Sequence, residues 1–211
     1  MSKKYGPKKM MNSSRFVDLL DGMSQEDLDK VADKIGVYVK ENPEYCDKGN
    51  YRHLSNIFTC MAIYRTLIEK GKSPQEAEEI TFNAMYQYMQ KQRKTFQRLS
   101  KKGWFWGLIK KIVPLGFKKG SGYGWEYAWH KDDPKNQFNF ECRRCIYQQL
   151  FKKYDLVRFG PKFCYNDIVV YGELDRTDFK RTKTLCRGDE ECDFKFVRYK
   201  KDEKFERSQS V

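Results

Sequence analysis

Residues 179–197 read FKRTKTLCRGDEECDFKFV, and their pattern decides the fold. Two runs, Phe179 to Leu185 and Cys192 to Val197, flank the turn signal Gly188-Asp189, which predicts a pair of antiparallel strands. On the second run Cys192 and Phe194 share a face, which should be the core, while Asp193 points the other way. Further back, Tyr123 to His130 and Gln137 to Cys142 predict a second strand pair joined at Asp132-Asp133-Pro134. Between the two pairs, Cys145 to Tyr154 carries Ile146, Leu150 and Phe151 at helical spacing. A loop through Gly160-Pro161 then leads to a second helix at about 162–174.

Upstream, the period is helical. Ser13-Ser14 caps a short helix through Leu20. Ser24, with Glu26 and Asp27 in the first turn, starts a helix that carries Leu28, Val31, Ile35 and Val39 and stops near Asn42-Pro43. Asn50 to Glu69 predicts a longer helix with Leu54, Ile57, Phe58, Met61, Ile63, Tyr64 and Leu67 inward, closed by Lys70-Gly71-Lys72. Ser73-Pro74-Gln75-Glu76 is a capping box with Pro at the first helical position, and the helix it starts runs to about Leu99. These two long helices should form an antiparallel pair. Residues 104–119 predict a basic amphipathic helix that covers a core or an active site. Transient contact with an anionic membrane is the second reading, limited by the roughly ten residues before Pro114. The sum is an α+β fold: a helical N-terminal half packed on a small antiparallel sheet of about four strands, with two helices inserted between the strand pairs. Residues 1–12 read as a disordered basic tail and 199–211 as a charged tail. Residues 13–198 read as one domain, helical to about 119 and sheet-bearing and cysteine-rich from about 120.

Bulk numbers narrow the function classes. Hydrophobic residues make up 39% of the 211, a low share, but the 16% aromatic content supplies a core. The formal charge is +13, and its spread along the chain weakens a nucleic-acid reading. No apolar run follows the charges of the N-terminus, and no segment is apolar for long enough to span a bilayer. The expected location is the cytoplasm, where the seven cysteines stay reduced.

Five of the seven cysteines lie between 142 and 192. Cys164 and Asp167 are three residues apart on a predicted helix, hence on one face. With Cys145 they are the candidate catalytic residues. A carboxylate raises the pKa of a neighbouring thiol, so a thiolate nucleophile here needs a cation or histidine, for which His130, Arg143, Arg144 and Arg181 are available. Alternatively Asp167 acts as general base on water, while Cys164 and Cys145 shape or protonate the site. Both routes are open from sequence. Cys142-Arg143-Arg144-Cys145 is a CxxC, a spacing used for zinc, but no second CxxC accompanies it, and a strand end and a helix start need not converge. No metal and no cofactor are expected. Thr182 and Thr184 alternate on the predicted strand and place two hydroxyls on one side, beside Asp167. Cys192-Asp193-Phe194 reads as structural. His53, and Trp125 and Trp129 with Tyr123 and Tyr127, read as packing residues, the aromatic set also as a pocket wall.

Arg144-Cys145 opening a helix, Cys164-x-x-Asp167 on the next, Arg181-Thr182-Lys183-Thr184, Gly188-Asp189 and Cys192-Asp193-Phe194 together resemble the L-2-amino-thiazoline-4-carboxylic acid hydrolase family, over about residues 50–198. The resemblance implies a bacterial cytosolic protein that opens a cyclic amidine by hydrolysis and yields a carbamoyl derivative of cysteine. It implies a small-molecule carboxylate substrate. In the site, Arg144 or Arg181 would hold the carboxylate, with Thr182, Thr184 and His130 as further contacts. Cys142 and Cys186 are additional to the pattern, and the high positive charge is not explained by it. Two rival classes are a small-molecule binding or sensing domain without turnover, and a basic surface protein that contacts anionic lipid or nucleic acid.

Overall fold

The structure, a computed structural model, describes residues 5–208. They form two compact units, one of residues 5–88 with 120–123, the other of residues 89–119 with 124–208. The first is helical: α1 (Pro7–Asn12), α2 (Val17–Leu20), α3 (Gln25–Glu41), α4 (Tyr51–Glu69) and the first half of α5 (Pro74–Ser100). Residues 7–12, expected as tail, form α1, because Met10 and Met11 bury against α3 and α4. Two helix starts follow the sequence signals. Ser24 caps α3 through the Asp27 amide, and the Asp27 carboxylate also receives Lys70 at 2.5 Å. Ser73 and Glu76 exchange hydrogen bonds at the start of α5. Val31, Ile35 and Val39 of α3 are buried, and α4 is buried along most of its length, Leu54 to Tyr64. Asn50, fully buried, ties residues 120–123 to this unit. Its amide donates to the Tyr45 and Tyr123 carbonyls, and its oxygen accepts from the Gly122 amide.

The second unit holds the end of α5, α6 (Phe105–Gly120), β1 (Glu126–Trp129), β2 (Gln137–Arg144), α7 (Ile146–Lys153), α8 (Phe159–Tyr171), β3 (Thr177–Lys180) and β4 (Cys192–Arg198). The sheet has the order β1-β2-β4-β3, antiparallel throughout. This is the expected α+β architecture, with α7 and α8 between the strand pairs. Alternation along β2 puts Phe138, Phe140 and Cys142 on the core face, opposite Phe196, Phe194 and Cys192 of β4. Phe140 and Phe194 stack at 4.6 Å between centroids, and Phe179 of β3 lies 4.8 Å from Phe196. Trp106, Ile109, Val113 and Phe117 of α6 and Ile168 and Tyr171 of α8 pack on this aromatic layer. Tyr127 and Trp129 join it, so the β1 aromatics act as core.

α6 takes the span expected for it and continues through Pro114 to Gly120, because its packing on the aromatic layer outweighs the lost backbone donor. Two boundaries differ from expectation. Gly160-Pro161 sits in the first turn of α8, where proline is tolerated, instead of in a loop. β3 ends at Lys180, so Arg181 to Leu185 is not strand; the amides of Thr182, Lys183 and Thr184 are taken by side-chain carboxylates described below.

His53, within α4, is desolvated, and this burial together with the Arg15 cation brings its pKa down to about 4 against the partial opposition of a Gly120 backbone hydrogen bond. The folded value lies below the unfolded value near 6.5, so its contribution is full above that pH and is lost as the pH falls through 4. Urea titrations followed by circular dichroism should show the wild type losing on the order of 2 kcal/mol more than His53→Gln on acidification across that window. Parallel pH curves for the two proteins would refute this.

Candidate active site

The chemistry-bearing residues gather where α7, α8 and the loop between β3 and β4 meet. The sheet delivers the first of them. Phe179 and Arg181 lie on the core face of the β3 line, and Lys180 is paired with Lys195, which puts Arg181 across from Phe194. Its guanidinium is fully buried and lies 5.7 Å from the Phe194 ring centroid. Nη1 donates to Asp167 Oδ2 at 2.8 Å, and Nη2 donates to the Cys164 carbonyl at 3.0 Å. One cation therefore grips a carboxylate and a main-chain oxygen one turn apart on α8. A buried charge of this kind persists only with such partners, since removal of one costs about 3–5 kcal/mol. Asp167 keeps 35% of its side chain exposed.

Five thiols lie in the same unit as this ion pair. Cys142 of β2 stands opposite Cys192 of β4, and the two pack with Cys145 and Leu185 against Trp125, Tyr127, Tyr147 and Phe194. Cys145 occupies the residue before α7. Cys186 lies in the short 3-10 turn Leu185–Arg187 and rests on Gly160 of α8, where a Cβ would come within 2.7 Å of its Sγ. All are free thiols. They lie as two neighbouring pairs, Cys142 with Cys145 and Cys164 with Cys186, and Cys142 Sγ donates to the Arg144 carbonyl at 3.2 Å. The first pair is polarised. The adjacent Cys142 thiol holds the Cys145 pKa down, with smaller help from the Gln148 and Tyr147 amides at the start of α7, against burial and the Asp167 charge. Cys142 is pushed up by its neighbour Cys145 and by burial, Cys186 by its neighbour Cys164 and by burial, and Cys192 by burial to about 12.

The loop over the thiols is held by two aspartates. Asp193 Oδ1 accepts from the Thr182 and Lys183 amides at 2.8 and 2.6 Å, and Oδ2 accepts from the Thr182 hydroxyl at 2.7 Å. Asp189 Oδ2 accepts from the Thr184 amide at 2.7 Å, across a turn closed by Gly188 at φ +97°, a conformation suited to glycine. Gln148 of α7 donates to the Leu185 carbonyl, and the Leu185 amide donates to Cys192 Sγ.

Of the residues expected in the site, Cys145, Cys164, Asp167 and Arg181 are brought together. Thr184 is buried on the same loop, and its hydroxyl has no hydrogen-bond partner among the described residues. Three others are placed differently. Thr182 is exposed, and its hydroxyl is committed to Asp193. Arg144 is exposed and pairs with Glu126 at 3.5 Å. His130 pairs with Glu141 at 2.5 Å on the opposite sheet face from Cys142. Arg181 is internal, with both terminal nitrogens engaged, and so does not present an open carboxylate anchor. Cys186 enters the sequence reading only as an additional cysteine and Gly160 only as a loop residue; the close approach that links them is visible only in three dimensions. Among the described residues, no three or more His, Cys, Asp and Glu are grouped to hold a metal ion.

The profile of the L-2-amino-thiazoline-4-carboxylic acid hydrolase family matches residues 51–196. The chain belongs to this family. The matched span runs from the first residue of α4 into β4 and contains all five thiols, Asp167 and Arg181. No curated protein and no solved structure matches the chain.

For this hydrolase-family chain the thiol cluster yields two expectations. A small alkylating reagent at mildly alkaline pH, read by peptide mass spectrometry, should label Cys145 ahead of Cys142, Cys186 and Cys192; labelling of Cys192 first would contradict the polarised pair. Gly160→Ala should destabilise the protein by about 1–3 kcal/mol. Adding Cys186→Ala should relieve only part of this, because the new Cβ also meets Cys186 Cβ at 2.8 Å.

Proposed function

We propose that the chain is a hydrolase that opens a C–N bond in a small cyclic amidine, with L-2-amino-thiazoline-4-carboxylate as the first substrate to test and a carbamoyl-cysteine as product. The observation that carries this reading is the Asp167 carboxylate, held by a buried arginine yet one-third exposed, with thiols beside it. Asp167 takes a proton from water as the water oxygen bonds to the amidine carbon. The ring C–N bond then breaks, the nitrogen receives a proton, and the added hydroxyl becomes the carbamoyl oxygen. The net change is one water gained. Cys164, one turn from Asp167, is the candidate proton donor to the leaving nitrogen. With Arg181 internal and Arg144 paired with Glu126, neither arginine is assigned to the substrate carboxylate; the Thr184 hydroxyl is a candidate contact for a polar substrate atom.

A second route starts from Cys145, which sits at the start of α7 beside the Cys142 thiol. There the Cys145 thiolate attacks the amidine carbon, the ring nitrogen leaves, and water hydrolyses the covalent intermediate. The low exposure of Cys145, 8%, argues for the water route.

Mass spectrometry of L-2-amino-thiazoline-4-carboxylate incubated with purified protein should show product one water heavier. Asp167→Asn should lower kcat about 10²–10⁴-fold. Cys145→Ala should retain turnover in the water route and abolish it in the thiolate route. Thermal stability is read for each variant, because Asp167→Asn leaves the Arg181 charge uncompensated; Asp167→Glu keeps the charge and displaces the carboxylate. A folded Asp167 variant with full turnover would refute the role of Asp167. Wild-type protein that binds the compound in calorimetry without converting it would make the chain a binding domain.

A further inference from the structure

The thiol site leaves α6 unused. One side of this helix packs on the aromatic core through Phe105, Trp106, Ile109, Val113 and Phe117. Trp106 also donates to the Lys135 carbonyl at 3.0 Å, and Lys110 reaches the Pro134 carbonyl. The other side exposes large apolar residues: Trp104 at 56%, Leu108 at 42%, Ile112 at 51% and Leu115 at 57%. Their spacing places all four on one stripe, with Trp104 just ahead of the first turn. Exposed lysines border it: Lys101 and Lys102 before the helix, Lys111 along it, and Lys118 and Lys119 at its end. Along the chain the charge of this segment is of one sign. Between Glu79 and Glu126 the sequence has no Asp or Glu and ten Lys and Arg. This run accounts for most of the +13 formal charge that the hydrolase reading leaves unexplained.

We propose that the outer face of α6 docks the protein on an anionic lipid bilayer. Trp104, Leu108, Ile112 and Leu115 would enter the headgroup–acyl boundary, while the lysines meet the phosphates. Charge decides between occupants. A second copy of this chain would present the same lysine-rich helix, and like charge would oppose its approach. A nucleic acid would use the lysines and leave the apolar stripe in water. A bilayer with acidic headgroups satisfies both parts of the face. No helix of the described residues is long and apolar enough to cross a membrane, so the contact is peripheral. The inner side of α6 is already occupied by the core, which keeps the helix formed before it meets lipid.

The test is flotation of the full chain with vesicles of phosphatidylcholine alone and of phosphatidylcholine containing phosphatidylglycerol, with tryptophan emission recorded in parallel. The expected result is binding to the acidic vesicles, with a blue-shifted emission and loss at high salt. Leu108→Ser with Ile112→Ser should abolish the bound fraction, and Lys111→Gln or Lys118→Gln should each lower partitioning about fivefold. These side chains are exposed, and unchanged circular dichroism would show that the variants remain folded. Equal binding to neutral and acidic vesicles would overturn the proposal. So would no vesicle binding, whether accompanied by concentration-dependent self-association that Leu108→Ser with Ile112→Ser removes, or by salt-sensitive binding to an oligonucleotide.

Discussion

A buried arginine charge organises the sheet-bearing unit. Arg181 has no exposed surface, so its guanidinium must find compensation inside the protein. It finds a carboxylate and a backbone carbonyl, both on α8, and an aromatic face on β4. α8, β4 and the loop after β3 are thereby fixed to one planar group whose geometry tolerates little rotation. The thiols take their places around it. Cys164 is on the gripped turn of α8, Cys186 is on the loop that Arg181 begins, and Cys192 is two residues before Phe194. A change in the grip would move the carboxylate and the loop together.

The loop between β3 and β4 shows how the protein satisfies backbone donors where a sheet ladder stops. Had Arg181 to Leu185 continued as strand, its amides would have paired along β4. Asp193 and Asp189 accept three of them instead. This releases Thr184 and Cys186 from strand alternation, and the 3-10 turn then carries Cys186 against Gly160. The loop is held by hydrogen bonds that are short but local, a construction that places its side chains firmly.

α6 follows the same economy in another way. It closes one side of the aromatic layer and turns a second apolar face outward. A helix that served packing alone would carry polar residues on that outer side.

Much of this was legible in the sequence because its causes are local. Ser24 with Asp27 and Ser73 with Glu76 announce helix starts since each signal is a bond within one turn. The alternation in Phe138, Phe140 and Cys142, and in Cys192, Phe194 and Phe196, sets the core face of β2 and β4 by the period of the strand itself. Family membership was legible for the same reason, as an ordered string of residues along the chain. What depends on partners distant in sequence was not legible. His130 was a candidate by type, but pairing of β1 with β2 places it with Glu141, away from the thiols. Arg181 was a candidate anchor for substrate, but burial and Asp167 made it an internal cation. The sequence by itself determined the helix starts, the sheet faces and the residue types available for chemistry. Only the tertiary structure decided which thiols pair, where β3 stops and which carboxylate holds the arginine, because each is set by contacts between elements that the chain brings together only when folded.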